Sequence, residues 1–462
     1  MRDHILFHVN GREQRVAGGD AFSTLSNWLR YDAGATGTKI VCEEGDCGAC
    51  TVLIRRRADE PYLPLNSCIL GLFQLDGTSI VTVEGLKQHG ELSAVQESMV
   101  RCHGAQCGYC TPGFICAMTA LFETKDRVDE KEVRDGLTGN LCRCTGYEPI
   151  VKAALAVDGA TMPKLGERYP ALPAIDDGVR IENGDRLFAA PRSLGDALRF
   201  KRETNAIIVQ GGTDFGVWVN KRGYKAPAML SLQHLGELRE LSGDETRIVA
   251  GANVTLAELE TFVADRVPEL HRILNIFGSP QIKNAGTLAG NIANGSPIAD
   301  TLPYLFVAGA RLELRSVDGA REVPIELFYR GYKTFDLRPD ELITRVTIPI
   351  VRDTLKLYKV SRRKDLDISA FTAAIRLSVR GTRIDEARVA YGGVGPVVMR
   401  LPKTEAHLAG SEISESLFAE AGRIARGEVT PITDVRGSRD YRLLLAGNIL
   451  QKFYFEALAA RT

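Results

Sequence analysis

The sequence predicts an α+β chain of several domains, and three observations carry that expectation. Its 462 residues suffice for about three domains at roughly 100–200 residues each. The hydrophobic period changes from 2 to 3.6 near Leu86, then becomes mixed beyond a proline-containing stretch at 159–180. All ten cysteines lie between Cys42 and Cys144, so one part of the chain carries the sulfur chemistry and the remainder none.

Composition narrows the function classes. Lys+Arg and Asp+Glu both total 58, leaving no formal net charge, which argues against a nucleic-acid or polybasic membrane surface. No apolar run approaches the roughly 20 residues of a spanning helix. Met1-Arg2-Asp3-His4 leads into a strand-like pattern without a signal-peptide core. Clustered thiols fit metal ligation in a reducing compartment better than a dispersed disulfide scaffold. A cytoplasmic protein is expected.

The first domain is expected over 1–84. Asn10-Gly11 separates two strand-like runs, 4–9 and 12–17, and marks a hairpin. A helix follows around Phe22–Tyr31, with Leu25, Trp28 and Leu29 as its buried face. Cys42, Cys47 and Cys50 then stand in a C-x4-C-x2-C pattern, with Cys68 downstream. This is the plant-type spacing for four thiolates around a [2Fe–2S] cluster. Gly45 and Gly48 let such a loop turn tightly. A disulfide knot or zinc site is the competing reading, although zinc favours paired C-x2-C elements. With strands at 51–54 and 79–83, the segment reads as a ferredoxin-like β-grasp.

A helical domain is expected over 85–158. Leu92, Val95, Met99 and Cys102 form one stripe. Thr111-Pro112 reads as an N-cap followed by proline at the first helical position. Asp129 caps a third helix and Pro149–Ala156 forms a fourth. Cys107, Cys110, Cys142 and Cys144 combine C-x2-C with C-x-C at helix–loop junctions. The C-x-C pair is uncommon in zinc modules, which favours a second [2Fe–2S] cluster. Cys102 and Cys116 read as buried free thiols.

Beyond the 159–180 linker, an α+β domain is expected over 181–348 and another over 349–462. The strand 206–210 runs into Gly211-Gly212-Thr213-Asp214, a weak signal in which a plain turn is about as probable as a site. The loop 284–300 is rich in small, hydroxyl and amide residues and contains no Lys or Arg. Its N–H groups and hydroxyls suit a pyrophosphate, and Asp300 a ribose or ribityl hydroxyl. A tightly packed Gly/Ala turn competes with that reading. Tyr391-Gly392-Gly393 reads as a structural turn, and the run around Arg362 as a solvated face.

Taken in order, the two cysteine motifs, Gly139-Asn140-Leu141-Cys142-Arg143-Cys144, Gly211–Gly216, Ala285–Asp300 and Ser361-Arg362-Arg363 resemble the xanthine dehydrogenase/xanthine oxidase family of molybdenum hydroxylases. The match covers the iron–sulfur and flavin portion, like a bacterial small subunit whose molybdopterin-binding large subunit is a separate polypeptide. The resemblance implies a two-part FAD-binding region followed by a C-terminal flavoprotein domain, and no hydroxylation residue in this chain. FAD would be held by Gln210, Gly211, Gly212, Thr213, Asp214, Thr287, Gly290, Asn291, Ser296, Asp300 and Ile343, with Phe277 covering the flavin ring. Tyr332, Lys333, Arg362, Arg363 and Asp365 would frame NAD+, and Gln106 would meet the pterin edge. Electrons from xanthine or hypoxanthine oxidation to urate would pass through both clusters to FAD and NAD+. A dimer of heterodimers is the family's assembly. Another hydroxylase of aldehydes or nicotinate, or a zinc-stapled flavin scaffold, are the rival expectations.

Overall fold

The structure, a computed structural model, describes residues 1–88 and 90–461, apart from the Arg461 side chain. It comprises two compact units: Met1–Leu235 with Ser279–Gly286, and Gly236–Gly278 with the chain from Thr287 onward.

The first unit opens with β1 (His4–Val9) and β2 (Arg12–Ala17), joined through Asn10 and Gly11 at φ 51° and 79°. Two successive positive φ values are what a type I′ hairpin turn requires. The helix α1 (Leu25–Tyr31) is shorter than expected, because the Thr24 hydroxyl accepts from Asn27 N–H and fixes the start there. With β3 (Thr51–Arg55), β4 (Leu63–Asn66) and β5 (Ser79–Val81), the strand order is β2-β1-β5-β3-β4. The parallel β1–β5 pair makes this a β-grasp, with Ile5, Phe7, Leu25 and Leu29 fully buried.

Four helices follow: α2 (Ala94–Arg101), α3 (Thr111–Thr124), α4 (Glu130–Gly136) and α5 (Glu148–Leu155). Leu92 is exposed and precedes α2, whose capping box on Ser93 and Gln96 starts the helix after it. Cys110, not Thr111, occupies the N-cap of α3. The turn ending the cysteine loop, with Thr111 N–H donating to Gly108, runs straight into the helix. Cys116 is buried as expected, whereas Cys102 is only half-buried at the α2 C-cap. The 159–180 stretch contains the short α6 (Leu165–Arg168), and Leu165 joins the helical core.

A second sheet in this unit contains β6 (Val179–Asn183), β7 (Arg186–Ala190), β8 (Ile207–Ile208) and β9 (Ala228–Leu230) in the order β6-β7-β9-β8. The strand expected over 206–210 is thus only two residues long. Helices α7 (Leu194–Thr204) and α8 (Phe215–Arg222) accompany it. This sheet shares one hydrophobic core with the β-grasp: Phe73 lies 5.0 Å from Phe188 and 6.4 Å from Phe215, centroid to centroid.

Asp76, fully buried, fastens that junction. It accepts two bonds from the Arg2 guanidinium (3.0 and 2.8 Å), one from Leu6 N–H, and faces His234 Nε2 at 2.9 Å. Burial alone would raise its pKa, but His234, Arg2 and Leu6 N–H together hold the carboxyl below its ordinary value. Its contribution is therefore complete above the unfolded pKa of about 4 and is lost as pH falls through the lower folded value. We expect Asp76→Asn to cost about 3 kcal/mol at neutral pH. In urea unfolding, the gap from wild type should close in acid.

The second unit has a five-stranded sheet of β10 (Leu241–Gly243), β11 (Arg247–Gly251), β12 (Arg311–Ser316), β13 (Gly319–Pro324) and β16 (Leu342–Pro349), ordered β10-β11-β16-β12-β13. The small hairpin β14 (Tyr329–Gly331) and β15 (Thr334–Phe335) interrupts its sequence. A four-stranded sheet, β17 (Thr354–Val360), β18 (Phe371–Arg380), β19 (Arg383–Gly392) and β20 (Met399–Arg400), packs on the helices Glu415–Glu428 and Arg439–Ala457. Among the described residues, no helix is long and apolar enough to cross a membrane.

Candidate redox centres

The β-grasp brings the first four cysteines together. Cys50 and Cys68 are buried with Ile69, while Cys42 and Cys47 are half-buried. Cys42 Sγ accepts from the N–H groups of Asp46 and Cys47, both at 3.4 Å. Asn66 Nδ2 donates to Gly45 O at 2.7 Å, and Ser67 Oγ to Cys50 O at 2.7 Å, so side chains beside Cys68 hold the loop closed. Bonds from Cys47 and then Cys68 hold the Cys42 thiol far below its ordinary value, while donation to Cys42 and Cys50 pushes Cys68 far above it. A cationic centre bound among the four sulfurs would let all of them ionise.

The second quartet spans a helix start and a loop. Cys107 and Cys144 are exposed, with their sulfurs 3.6 Å apart. Cys110 is half-buried, and burial followed by its bond to Cys142 pushes its thiol up to about 12. Gln106, Tyr109, Leu141 and Tyr147 are exposed around this quartet. Among the described residues, no three His, Cys, Asp or Glu side chains close to the spacing of a single metal ion. Soft thiolate donors in two sets of four, with backbone N–H groups on a sulfur, fit two [2Fe–2S] clusters.

The two quartets are joined directly. Leu141 N–H donates to Cys47 O at 3.0 Å. Asn140 Nδ2 donates to Gly48 O at 3.0 Å, and Gln281 Nε2 reaches Asn140 Oδ1 at 2.8 Å and Thr51 Oγ1 at 3.2 Å. Sequence reading placed Asn140 in the Gly139–Cys144 motif without its bridging role, and missed Gln281. A buried amide bridging two loops leaves no periodic or spacing signal.

In the first unit, Gln210 is locked at both ends: its carbonyl accepts from Gln74 Nε2 (3.0 Å) and its Oε1 from Leu232 N–H (3.2 Å). Gly211 lies so near Ala285 O and Gly286 that no Cβ would fit. Asp214 is the N-cap residue of α8, and Thr213 is half-buried before it.

In the second unit, part of the expected 284–300 loop is the helix Leu288–Asn294. Thr287 Oγ1 accepts from Gly290 N–H at 3.0 Å, and Leu288 and Ile292 are buried. Thr301 Oγ1 donates to Asn291 Oδ1 at 2.6 Å, and Ile298 N–H to Ser296 Oγ at 3.4 Å. The Gly392–Gly393 turn supports this stretch, with Gly393 N–H on Pro297 O at 2.8 Å. Asp300 is buried, and both oxygens are engaged: Lys359 Nζ lies 2.6 Å from one and Ser369 Oγ 2.5 Å from the other. Lys359, which sequence reading also missed, belongs to this group. Ile343 is buried opposite Leu314, and half-buried Phe277 follows the helix Pro268–Ile276. Tyr332 is exposed, and Lys333 Nζ donates to Asn294 Oδ1 at 2.7 Å. Arg363 bonds to Asp367, Arg362 is exposed, and Asp365 sits 3.9 Å from Lys364.

Comparisons agree with this layout. The [2Fe-2S] binding domain family matches residues 82–155, the FAD binding domain in molybdopterin dehydrogenase residues 182–351, and the CO dehydrogenase flavoprotein C-terminal domain residues 356–457. Xanthine dehydrogenase/oxidase of Gallus gallus is 29% identical over 99% of this chain and 40% of its own length. Aldehyde oxidase 1 of Macaca fascicularis is 28% identical over 98% of this chain and 39% of its own. The chain thus spans about two-fifths of the length of these relatives. Quinoline 2-oxidoreductase from Pseudomonas putida 86 superposes with a TM-score of 0.55 and 31% identity, over 59% of this chain and 96% of that one. With its two cysteine quartets and flavoprotein regions in this order, the chain belongs to the xanthine dehydrogenase/molybdenum hydroxylase family, of which it forms the iron–sulfur and FAD electron-transfer region.

Proposed function

We propose that this chain serves a cytoplasmic, NAD-dependent xanthine dehydrogenase, taking electrons from a molybdopterin-binding large subunit and delivering them to NAD+. The observation that carries the reading is the direct bonding of the Cys142 loop to Cys47 and Gly48, which joins the two quartets. When bound, [2Fe–2S] clusters handle single electrons and a flavin links them to a hydride acceptor. Cys42, Cys47, Cys50 and Cys68 hold one cluster, and Cys107, Cys110, Cys142 and Cys144 the other. FAD contacts fall to Gln210–Asp214 and, on the second unit, to Phe277, Thr287, Gly290, Asn291, Ser296, Asp300 and Ile343. Tyr332, Lys333, Arg362, Arg363 and Asp365 face NAD+. The exposed Gln106, Tyr109 and Leu141 around the second quartet suit burial against the large subunit, with a dimer of heterodimers as the assembly.

A second reading, the same role beside an aldehyde or nicotinate hydroxylase, is favoured by nearly equal identity to the xanthine dehydrogenase/oxidase and the aldehyde oxidase. Assay of the co-purified complex on xanthine, aldehydes and nicotinate decides between them. The purified chain should carry about two irons per quartet together with FAD, and NADH should bleach its flavin absorption. Zinc in place of iron, or a FAD-loaded chain inert to NADH, would overturn the reading.

A further inference from the structure

Helix α8 begins where the Gln210–Asp214 stretch ends, and three of its residues reach the first cysteine quartet. Gly216 lies against the Ile69 backbone, where an added Cβ would stand 2.8 Å from Ile69 Cα and still nearer Ile69 O. Val217 packs on the buried group of Cys50, Cys68 and Ile69. Asn220 Nδ2 donates to two carbonyls, Cys68 O at 2.8 Å and Glu43 O at 2.9 Å. Glu43 has φ 55°, a left-handed conformation that a non-glycine residue keeps only when its surroundings enforce it. One amide on α8 thereby pins both the Glu43 turn of the cysteine loop and the Cys68 turn, beside the Asn66 and Ser67 bonds that close the loop on itself.

We propose that α8 is a strut between the flavin-binding stretch and the first cluster, with Asn220 the positioning residue that sets Cys68 and the Glu43 turn at their distance. The proposal rests on the reading of Cys42, Cys47, Cys50 and Cys68 as cluster ligands and of Gln210–Asp214 as flavin contacts. Asn220 touches no sulfur. It acts through two carbonyls whose loops carry the ligands, and such outer partners orient ligands and tune a metal centre.

The test uses the full iron- and FAD-loaded chain and electron paramagnetic resonance of the reduced protein, which should show two cluster signals. Asn220→Leu removes both donors at similar volume. One signal should change its g values and line shape, and a chelator should remove iron from that cluster about tenfold faster, as loss of two hydrogen bonds of modest net strength implies. The other signal should stay as in wild type, and it should be the one altered by Cys144→Ser, whose side chain is exposed in the second quartet. Asn220→Gln, which keeps the amide, should restore part of the wild-type signal. Lys221→Ala serves as control, since Lys221 is exposed and 4.0 Å from Glu44, and should change neither signal. Both signals unchanged in iron-loaded Asn220→Leu, or both altered alike, would overturn the proposal. A wild-type chain without iron would instead defeat the underlying reading.

Discussion

Gly48→Ala is expected to cost the chain both iron centres at once. Gly48 lies between two ligands of the first quartet with φ 68°, a conformation that costs an L-residue roughly 1–2 kcal/mol. An added Cβ would stand 2.6 Å from Asn140 Nδ2 and nearer still to Gly139 O, both just before Cys142. The Gly48 carbonyl accepts from Asn140 Nδ2 and from Thr51 Oγ1, and it leaves no room for a Cβ at Gly113, in the helix that follows Cys110. Overpacking adds roughly 1–3 kcal/mol, for a total of about 2–5 kcal/mol. Gly108→Ala separates the two contributions: Gly108 has φ 78° beside Cys107, but a Cβ there would meet nothing within 4 Å. We expect Gly108→Ala to keep its iron and lose only about 1–2 kcal/mol. Iron content and thermal unfolding of both variants check this. Full iron in Gly48→Ala would show that the loops are not locked as described.

The contrast between these glycines shows what a sequence discloses. Ligand chemistry fixes cysteine spacing, and a hairpin fixes Asn10-Gly11, so both are legible within a few residues. The helix over Leu288–Asn294 was legible in principle, through Thr287 as cap and Leu288 and Ile292 four residues apart, but its small residues suggested a loop. What joins the loops was not legible. Asn140, Gln281 and Asn220 act through single amides on carbonyls far away in sequence, and no local pattern marks an amide as a clasp. The common core of Phe73, Phe188 and Phe215 is hidden for the same reason: each strand shows its own alternation, and none shows which sheet it will meet.

Lys359→Met should destabilise the second unit by about 3–5 kcal/mol, the usual result of stripping one partner from a buried ion pair. Lys359 and Asp300 are 3% and 4% exposed, and Lys359 also donates to Asp367 O at 2.8 Å and Ser369 Oγ at 2.7 Å. Removing the ammonium leaves the Asp300 carboxylate accepting from Ser369 Oγ in a region too dry to solvate it. The double variant Lys359→Met/Asp300→Asn removes the uncompensated charge and should recover most of the loss, which urea unfolding of the single and double variants measures as a coupling energy. Flavin retention should not recover with it. If Asp300 serves a ribityl hydroxyl as well as Lys359, its amide replacement restores the fold while weakening an acceptor at the ligand. Stability and FAD content then part company in the double variant. If both recover together, the pair is a structural clasp alone; if neither does, Lys359 stabilises the unit through Asp367 and Ser369 rather than through the carboxylate.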